Sequence, residues 1–111
     1  MNLGLDVALH DGHAVLAVIG EVDLSNGPRL REAIIDLVNR GERRIVVDLT
    51  GVEFLDSTGL GILVGGLKRV RSHDGNFALV CSRARILKVF EITGLDRVFA
   101  IFDSVEAATA S

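Results

Sequence analysis

The fold is decided by residues 45–61, whose sequence is IVVDLTGVEFLDSTGLG. Residues 45–49 form a short apolar run, which is typical of a buried strand. Residues 50–56 then predict the loop that leaves this strand, and apolar residues at helical spacing predict a helix over residues 58–72. A strand that leads through a loop into a helix is the repeating unit of a parallel α/β sheet.

The same alternation of strands and helices extends in both directions from this segment. Two strand-like runs, 3–9 and 14–19, flank Asp11-Gly12, a pair that predicts a tight hairpin because glycine accepts positive φ. Residues 20–23 predict a polar break before the next helix. The other predicted elements are a helix capped by Ser25 or Asn26 with Pro28 in its first turn, a strand at 77–81, a helix at 83–92, a strand at 98–102 and a short helix capped by Ser104. The sequence therefore predicts one α/β domain over residues 1–111, with a mixed, largely parallel sheet that opens with a β-hairpin and carries packed helices.

Composition and charge argue against several classes of function. The chain has 111 residues, with 12 Lys and Arg against 15 Asp and Glu, so its formal net charge is −3. A mildly acidic chain without a basic tail is a poor match for the phosphate backbone, and we expect no direct nucleic-acid binding. The one cysteine, Cys81, forms no internal disulfide and is typical of a reducing compartment. The first residues lack the pattern of an export signal, and no apolar run reaches the ~18 residues of a membrane span. We therefore expect a cytoplasmic protein that makes no membrane contact.

The residues with the greatest chemical interest are Asp56-Ser57-Thr58-Gly59-Leu60-Gly61, which stand where the strand exit meets the helix. In parallel α/β folds, binding sites gather beyond the carboxyl ends of strands. Each of the two glycines costs about 1 kcal/mol of helix propensity relative to alanine, yet both leave space beside Ser57. Two interpretations stay open from the residues alone. Ser57 either carries a function or only caps the helix, with the glycines relieving packing.

The patterns of common enzymes are absent from the sequence. Ser57 has no glycine two residues before it, as a nucleophile elbow requires, and no Gly-Lys-Ser/Thr phosphate loop occurs. The three histidines, His10, His13 and His73, predict exposed loop residues, and with one cysteine they lack the spacing of zinc ligands. Asp48 is placed like the phospho-acceptor of a receiver domain, but the opening hairpin does not fit that fold. The sequence therefore argues against an enzyme.

Three motifs carry a resemblance to a known family. They are GEVD at residues 20–23, FLDSTGLG at residues 54–61 and ITGL at residues 92–95. In this order and spacing the chain resembles the STAS domain family, and more narrowly the bacterial anti-sigma factor antagonists. The resemblance implies that the unphosphorylated chain binds an anti-sigma factor with serine kinase activity and so releases a sigma factor. It also implies that phosphorylation at Ser57 blocks this binding and that a serine phosphatase restores it.

The resemblance also implies which residues form the site. The partner-binding surface would consist of Asp23, Asp56, Ser57, Thr58, Gly59, Leu60 and Gly61. The chain itself would hold no cofactor or metal, since ATP and Mg²⁺ would be bound by the partner kinase. For Asp23 two interpretations stay open, a contact with Ser57 or the partner and a structural role at the start of the first helix. The alternatives for the whole chain are a STAS scaffold or sensor subunit of a signalling assembly, and a STAS subunit for a small ligand or for lipid transport.

Overall fold

The computed structural model describes residues 2–110 and contains five strands, four α-helices and one 3₁₀ turn within that range. The strands are β1 (Leu3–His10), β2 (His13–Val22), β3 (Arg44–Leu55), β4 (Asn76–Val80) and β5 (Ala100–Phe102). The helices are α1 (Gly27–Asn39), α2 (Ser57–Ser72), α3 (Ala84–Thr93) and α4 (Val105–Thr109), and the 3₁₀ turn is Leu95–Arg97.

The strands form a single sheet in the order β1-β2-β3-β4-β5. β1 and β2 pair antiparallel, and every later pair is parallel. The predicted fold class, a mixed and largely parallel sheet opened by a hairpin, is therefore confirmed. At the hairpin itself, Asp11 and Gly12 have φ values of +50° and +80°, as the tight turn requires.

Two apolar layers hold the helices to the sheet. On one face, α1, α2 and α3 pack on alternate strand residues in a core whose centre includes Leu16, Val47 and Leu63, all fully buried. On the other face, Ala108 of α4 packs against Val46 and its neighbours. Cys81 is part of the larger core, where burial raises the pKa of its thiol.

Gly20, the first residue of the GEVD motif, is required by the backbone. Its φ is +105°, and a Cβ there would collide with the backbone carbonyl oxygen of Asn2. The same oxygen accepts a hydrogen bond from the backbone N–H of Glu21 at 3.1 Å. The motif therefore ties the start of β1 to the end of β2, and β2 continues to Val22, so the predicted polar break at 20–23 was wrong.

The predicted exit loop at 50–56 was also wrong, because β3 continues to Leu55. β3 stays paired with β2 over this length, but the register shifts by one residue between Ala17 and Ile19 and again between Gly20 and Glu21. Each shift places an extra residue on β3, which breaks the regular alternation of apolar and polar side chains. The sequence of 50–55 therefore has the pattern of a loop although its backbone is extended.

Smaller differences between the predicted and observed structure concern the first residues of β2 and β5. His13 is the first residue of β2 and is buried rather than exposed, with its ring Nδ1 3.1 Å from the carbonyl oxygen of Asp11. β5 begins at Ala100, two residues later than predicted, because the backbone N–H groups of Val98 and Phe99 donate to the carbonyl oxygen of Leu95 in the preceding 3₁₀ turn. Among residues 2–110, no helix has the length and hydropathy of a membrane span.

Candidate functional site

Sheet register brings the Asp23 loop and the start of α2 together. Val22 and Leu55 are paired neighbours at the carboxyl ends of β2 and β3, and the backbone N–H of Asp56 donates to the carbonyl oxygen of Val22 at 3.3 Å. The residues that follow these two strands therefore emerge side by side at one edge of the sheet. The start of α1 closes on the same place, since a Cβ at Gly27 would lie 3.2 Å from Thr58 Cγ2.

Asp56 caps the N-terminus of α2, so the side chain of Ser57 is not needed as a helix cap. The Asp56 carboxylate Oδ1 accepts a hydrogen bond from the backbone N–H of Gly59 at 3.0 Å. Ser57 is the first residue of the helix, its side chain is exposed, and its hydroxyl makes no hydrogen bond to any other residue in the range 2–110. The interpretation of Ser57 as the helix cap was therefore wrong, and its hydroxyl is open to solvent at a helix N-terminus.

This division of roles predicts different stabilities for two alanine variants. Asp56→Ala removes the cap and is expected to lower the free energy of unfolding by about 1 kcal/mol. Ser57→Ala removes an exposed hydroxyl without a partner, and its effect is expected to stay within about 0.5 kcal/mol. Urea denaturation followed by circular dichroism measures both values. Equal losses in the two variants would contradict the assignment of the cap to Asp56.

The carboxylate of Asp23 organises its own loop. Its Oδ1 accepts hydrogen bonds from the hydroxyl and the backbone N–H of Ser25, at 2.6 and 2.9 Å, and from the backbone N–H of Asn26 at 3.2 Å. Asn26 is the N-cap of α1, but its side chain bonds outside the helix, to the backbone N–H of Asp23 and the carbonyl oxygen of Glu21. The described structure shows no hydrogen bond between Asp23 and Ser57. Asp23 thus fixes the shape of the loop beside Ser57 instead of orienting the serine hydroxyl.

These bonds give the loop a pH dependence. The hydrogen bond from the Ser25 hydroxyl is the largest cause of a lowered pKa at Asp23, below the ordinary 3.8. Because the folded pKa is depressed, the ionised carboxylate supports the loop above pH 3.8, and the support is lost as the pH falls through the folded pKa. In an NMR titration, the amide signals of Ser25 and Asn26 are expected to shift with a midpoint below 3.8, and Ser25→Ala to raise that midpoint. A midpoint at or above 3.8 in the unaltered chain would contradict this account.

The two glycines of the site differ in their surroundings. Gly59 is buried, and a Cβ there would collide with the Leu55 side chain and lie 3.0 Å from Val22 Cγ1. Gly61 is exposed, and a Cβ there would meet nothing within 4 Å. Leu60 is buried in the core. The exposed part of the predicted surface is therefore centred on Ser57 and Gly61.

Two exposed apolar residues near the ends of β2 and β3 were not predicted from the sequence. Leu24, in the Asp23 loop, is 76% exposed, and Phe54, two residues before Asp56, is 45% exposed. A groove of about 280 Å³ runs between α1 and α2, with apolar side chains in its wall and two arginines at its rim. It is lined by Arg31, Ile34, Ile35, Thr58, Gly61, Ile62, Gly65, Gly66 and Arg69. Among residues 2–110, no three His, Cys, Asp or Glu side chains are grouped so as to hold a metal ion.

Comparisons with known proteins identify the family of this chain. The chain is 34% identical over 106 residues to the anti-sigma-B factor antagonist of Staphylococcus epidermidis, covering 96% of this chain and 98% of the relative. It is similar to the crystal structure of an anti-sigma factor antagonist from Mycobacterium paratuberculosis, with a TM-score of 0.90, 32% identity and coverage of 98% and 92%. The unphosphorylated form of the anti-sigma factor antagonist SpoIIAA has a TM-score of 0.73 at 20% identity, with coverage of 98% and 94%, and shows the shared fold. The STAS domain model matches residues 5–108, and the chain therefore belongs to the STAS domain family.

Proposed function

We propose that this protein is an anti-sigma factor antagonist that acts by binding an anti-sigma factor and so releasing a sigma factor. The observation that carries the proposal is the exposed Ser57 hydroxyl, which stands unbonded at the start of a helix that Asp56 already caps. Relatives that cover nearly the whole chain bear the name of this function. The chain is then a substrate and a binding partner, while the catalysis belongs to other proteins.

The surface around Ser57 suits a protein partner. Gly61 leaves the helix flat one turn beyond the serine, because nothing lies within 4 Å of the position its Cβ would take. Leu24 and Phe54 add exposed apolar area in the elements on either side. Apolar side chains surrounded by polar ones are common in protein–protein interfaces. The contact surface of the proposal is thus Asp23 and its loop, Ser57 and the exposed part of 58–61.

Phosphorylation at Ser57 would end the contact without unfolding the domain. The anti-sigma factor, acting as a serine kinase with its own ATP and Mg²⁺, would transfer a phosphoryl group to the Ser57 hydroxyl oxygen, and a serine phosphatase would remove it. The first N–H groups of a helix lack intrahelical partners, so α2 tolerates an anion at its start. The phosphate adds about −1.5 to −2 charges beside the Asp56 carboxylate. A partner that fits the unphosphorylated surface would meet added bulk and concentrated negative charge.

Capture and reconstitution test this proposal. The protein and its Ser57→Ala variant serve as baits in a lysate of the source organism, and the captured ATP-binding protein is purified as a recombinant protein. With ATP and Mg²⁺, that protein is expected to phosphorylate the unaltered chain and Thr58→Ala, but not Ser57→Ala. Phosphopeptide mass spectrometry reads the site. Modification at Thr58, or the absence of any kinase among the bound proteins, would count against the proposal.

A further inference from the structure

β1 is a long edge strand with little of the usual protection. It lies at the end of the sheet and pairs only with β2, through eight successive residue pairs without a register shift. Edge strands expose backbone N–H and C=O groups, and proteins commonly protect them with lysine, proline, bulges or short length. The sequence of β1, LGLDVALH, has none of these and a single carboxylate, Asp6. The opposite edge, β5, has only three residues.

An apolar strip follows the same strand. Leu5, Val7 and Leu9 pair with Val18, Leu16 and Ala14, which belong to the core under the helices, so the strip lies on the helix-covered face of the sheet. The helices cover only the first part of this strip. Leu5 is half-buried, Val7 is 43% exposed and Leu9 is 73% exposed.

A groove of about 500 Å³ separates this part of β1 from α1. It is lined by Leu5, Pro28, Arg29, Glu32, Ala33 and Asp36. A single exposed apolar residue needs no explanation, but a row of them along an unpaired strand edge is a contact surface.

We propose that a second copy of this chain docks on β1, with the two β1 strands paired antiparallel about a two-fold axis. The occupant is a second copy because the side chains of β1 complement themselves in one register. When Val7 lies opposite its own counterpart, Leu5 lies opposite Leu9 and Asp6 lies opposite Ala8. Both apolar strips then meet on the same face, and no charges of equal sign are opposed.

The two neighbouring registers of the β1–β1 pairing are less favourable. Moving the axis to residue 6 places two Asp6 carboxylates directly opposite each other, which is destabilising. Moving it to residue 8 shortens the paired segment and removes Leu5 from it. Joining two edges in this way satisfies the free backbone groups of both strands and makes one continuous sheet. The inference is independent of the proposed function, because it uses neither Ser57 nor the Asp23 loop.

Sedimentation equilibrium over a concentration series tests the dimer. The unaltered chain is expected to change from 11.9 kDa to twice that mass as its concentration rises. Val7→Lys places two ammonium groups at the axis and is expected to stay monomeric. Val98→Lys is the matched control, since Val98 is 42% exposed and precedes β5 at the far edge, and it is expected to dimerise normally. Leu9→Lys, at a more exposed position, repeats the test should Val7→Lys lose the fold by circular dichroism.

Two further variants test the register. Ala8→Lys puts an ammonium opposite Asp6 twice per dimer, whereas Ala8→Asp puts a second carboxylate there. The dissociation constant of the Ala8→Lys dimer is expected to be about tenfold lower than that of the Ala8→Asp dimer. Equal constants for the two variants overturn the register. A chain that is monomeric at all concentrations, or dimers of Val7→Lys and Leu9→Lys as stable as the unaltered one, overturn the docking proposal itself.

Discussion

Replacing Ser57 with aspartate is expected to lower the affinity for the anti-sigma factor by about 100-fold or more. The new carboxylate stands next to Asp56 at the centre of the exposed contact surface. An unpaired charge that becomes buried in an interface costs about 2–5 kcal/mol, and 2.7 kcal/mol corresponds to about 100-fold in the dissociation constant. Ser57→Ala, which adds neither charge nor bulk, is expected to bind as tightly as the unphosphorylated chain. Isothermal titration calorimetry with the recombinant anti-sigma factor measures these constants.

An uncharged variant separates charge from size in this experiment. Ser57→Asn has nearly the shape of the aspartate without its charge, and we expect it to retain most of the affinity. The difference in affinity between the Ser57→Asp and Ser57→Asn variants is also expected to become smaller as the salt concentration is raised, because ions screen exposed charges. If Ser57→Asn binds as weakly as Ser57→Asp, bulk rather than charge controls the contact. If Ser57→Asp binds as tightly as Ser57→Ala, Ser57 lies outside the contact and the proposed switch is wrong.

Alanine at the two site glycines is expected to change stability in opposite directions. At Gly59 the added methyl group meets Leu55 and Val22 side chains inside the core, and overpacking of this kind costs about 1–3 kcal/mol. The helix propensity of alanine offsets about 1 kcal/mol of that cost, so a net loss of up to about 2 kcal/mol is expected. At Gly61 the methyl group meets nothing, and the free energy of unfolding is expected to rise by about 0.5–1 kcal/mol. Thermal and urea denaturation of both variants measure the sign of each change in the free energy of unfolding.

The stabilising variant also reports on binding. Gly65 lies one turn beyond Gly61 on the same helix, is also exposed and has nothing within 4 Å of its Cβ position, so Gly65→Ala is a matched control. Both variants are expected to be more stable, but only Gly61→Ala to weaken binding of the anti-sigma factor, by roughly tenfold, since a lost close contact costs about 1–2 kcal/mol. Equal binding by the two variants would indicate that the partner does not approach the helix at Gly61.

Much of the fold could be predicted because its signals are local. The hairpin follows from Asp11-Gly12, and the predicted helix over 58–72 follows from the spacing of its apolar residues. The length of β3 could not be predicted, because its two register shifts depend on pairing with β2 and interrupt the alternation that identifies a strand. The burial of His13 depends in the same way on where the hairpin lies in the sheet.

The site was harder to predict because the role of each of its residues depends on which residues lie near it in space. Asp56 and Ser57 are both common cap residues, and the sequence alone does not say which of them bonds the helix. Gly59 and Gly61 are the same residue type two positions apart, yet one touches the core and the other touches nothing. Leu24 and Phe54 are residue types that are typical of a core, and only the structure shows that their side chains are exposed.

The separate roles of Asp56 and Ser57 have a consequence for the lifetime of the protein in the cell. Degradation commonly follows the small fraction of molecules that is unfolded, and this fraction is set by the free energy of unfolding. Because the serine hydroxyl contributes no hydrogen bond to the fold, we expect both modification states to be degraded at the same rate. The phosphorylated molecules would then form a lasting reserve. The speed of sigma factor release would depend on how fast that reserve is dephosphorylated, and new synthesis would not be needed.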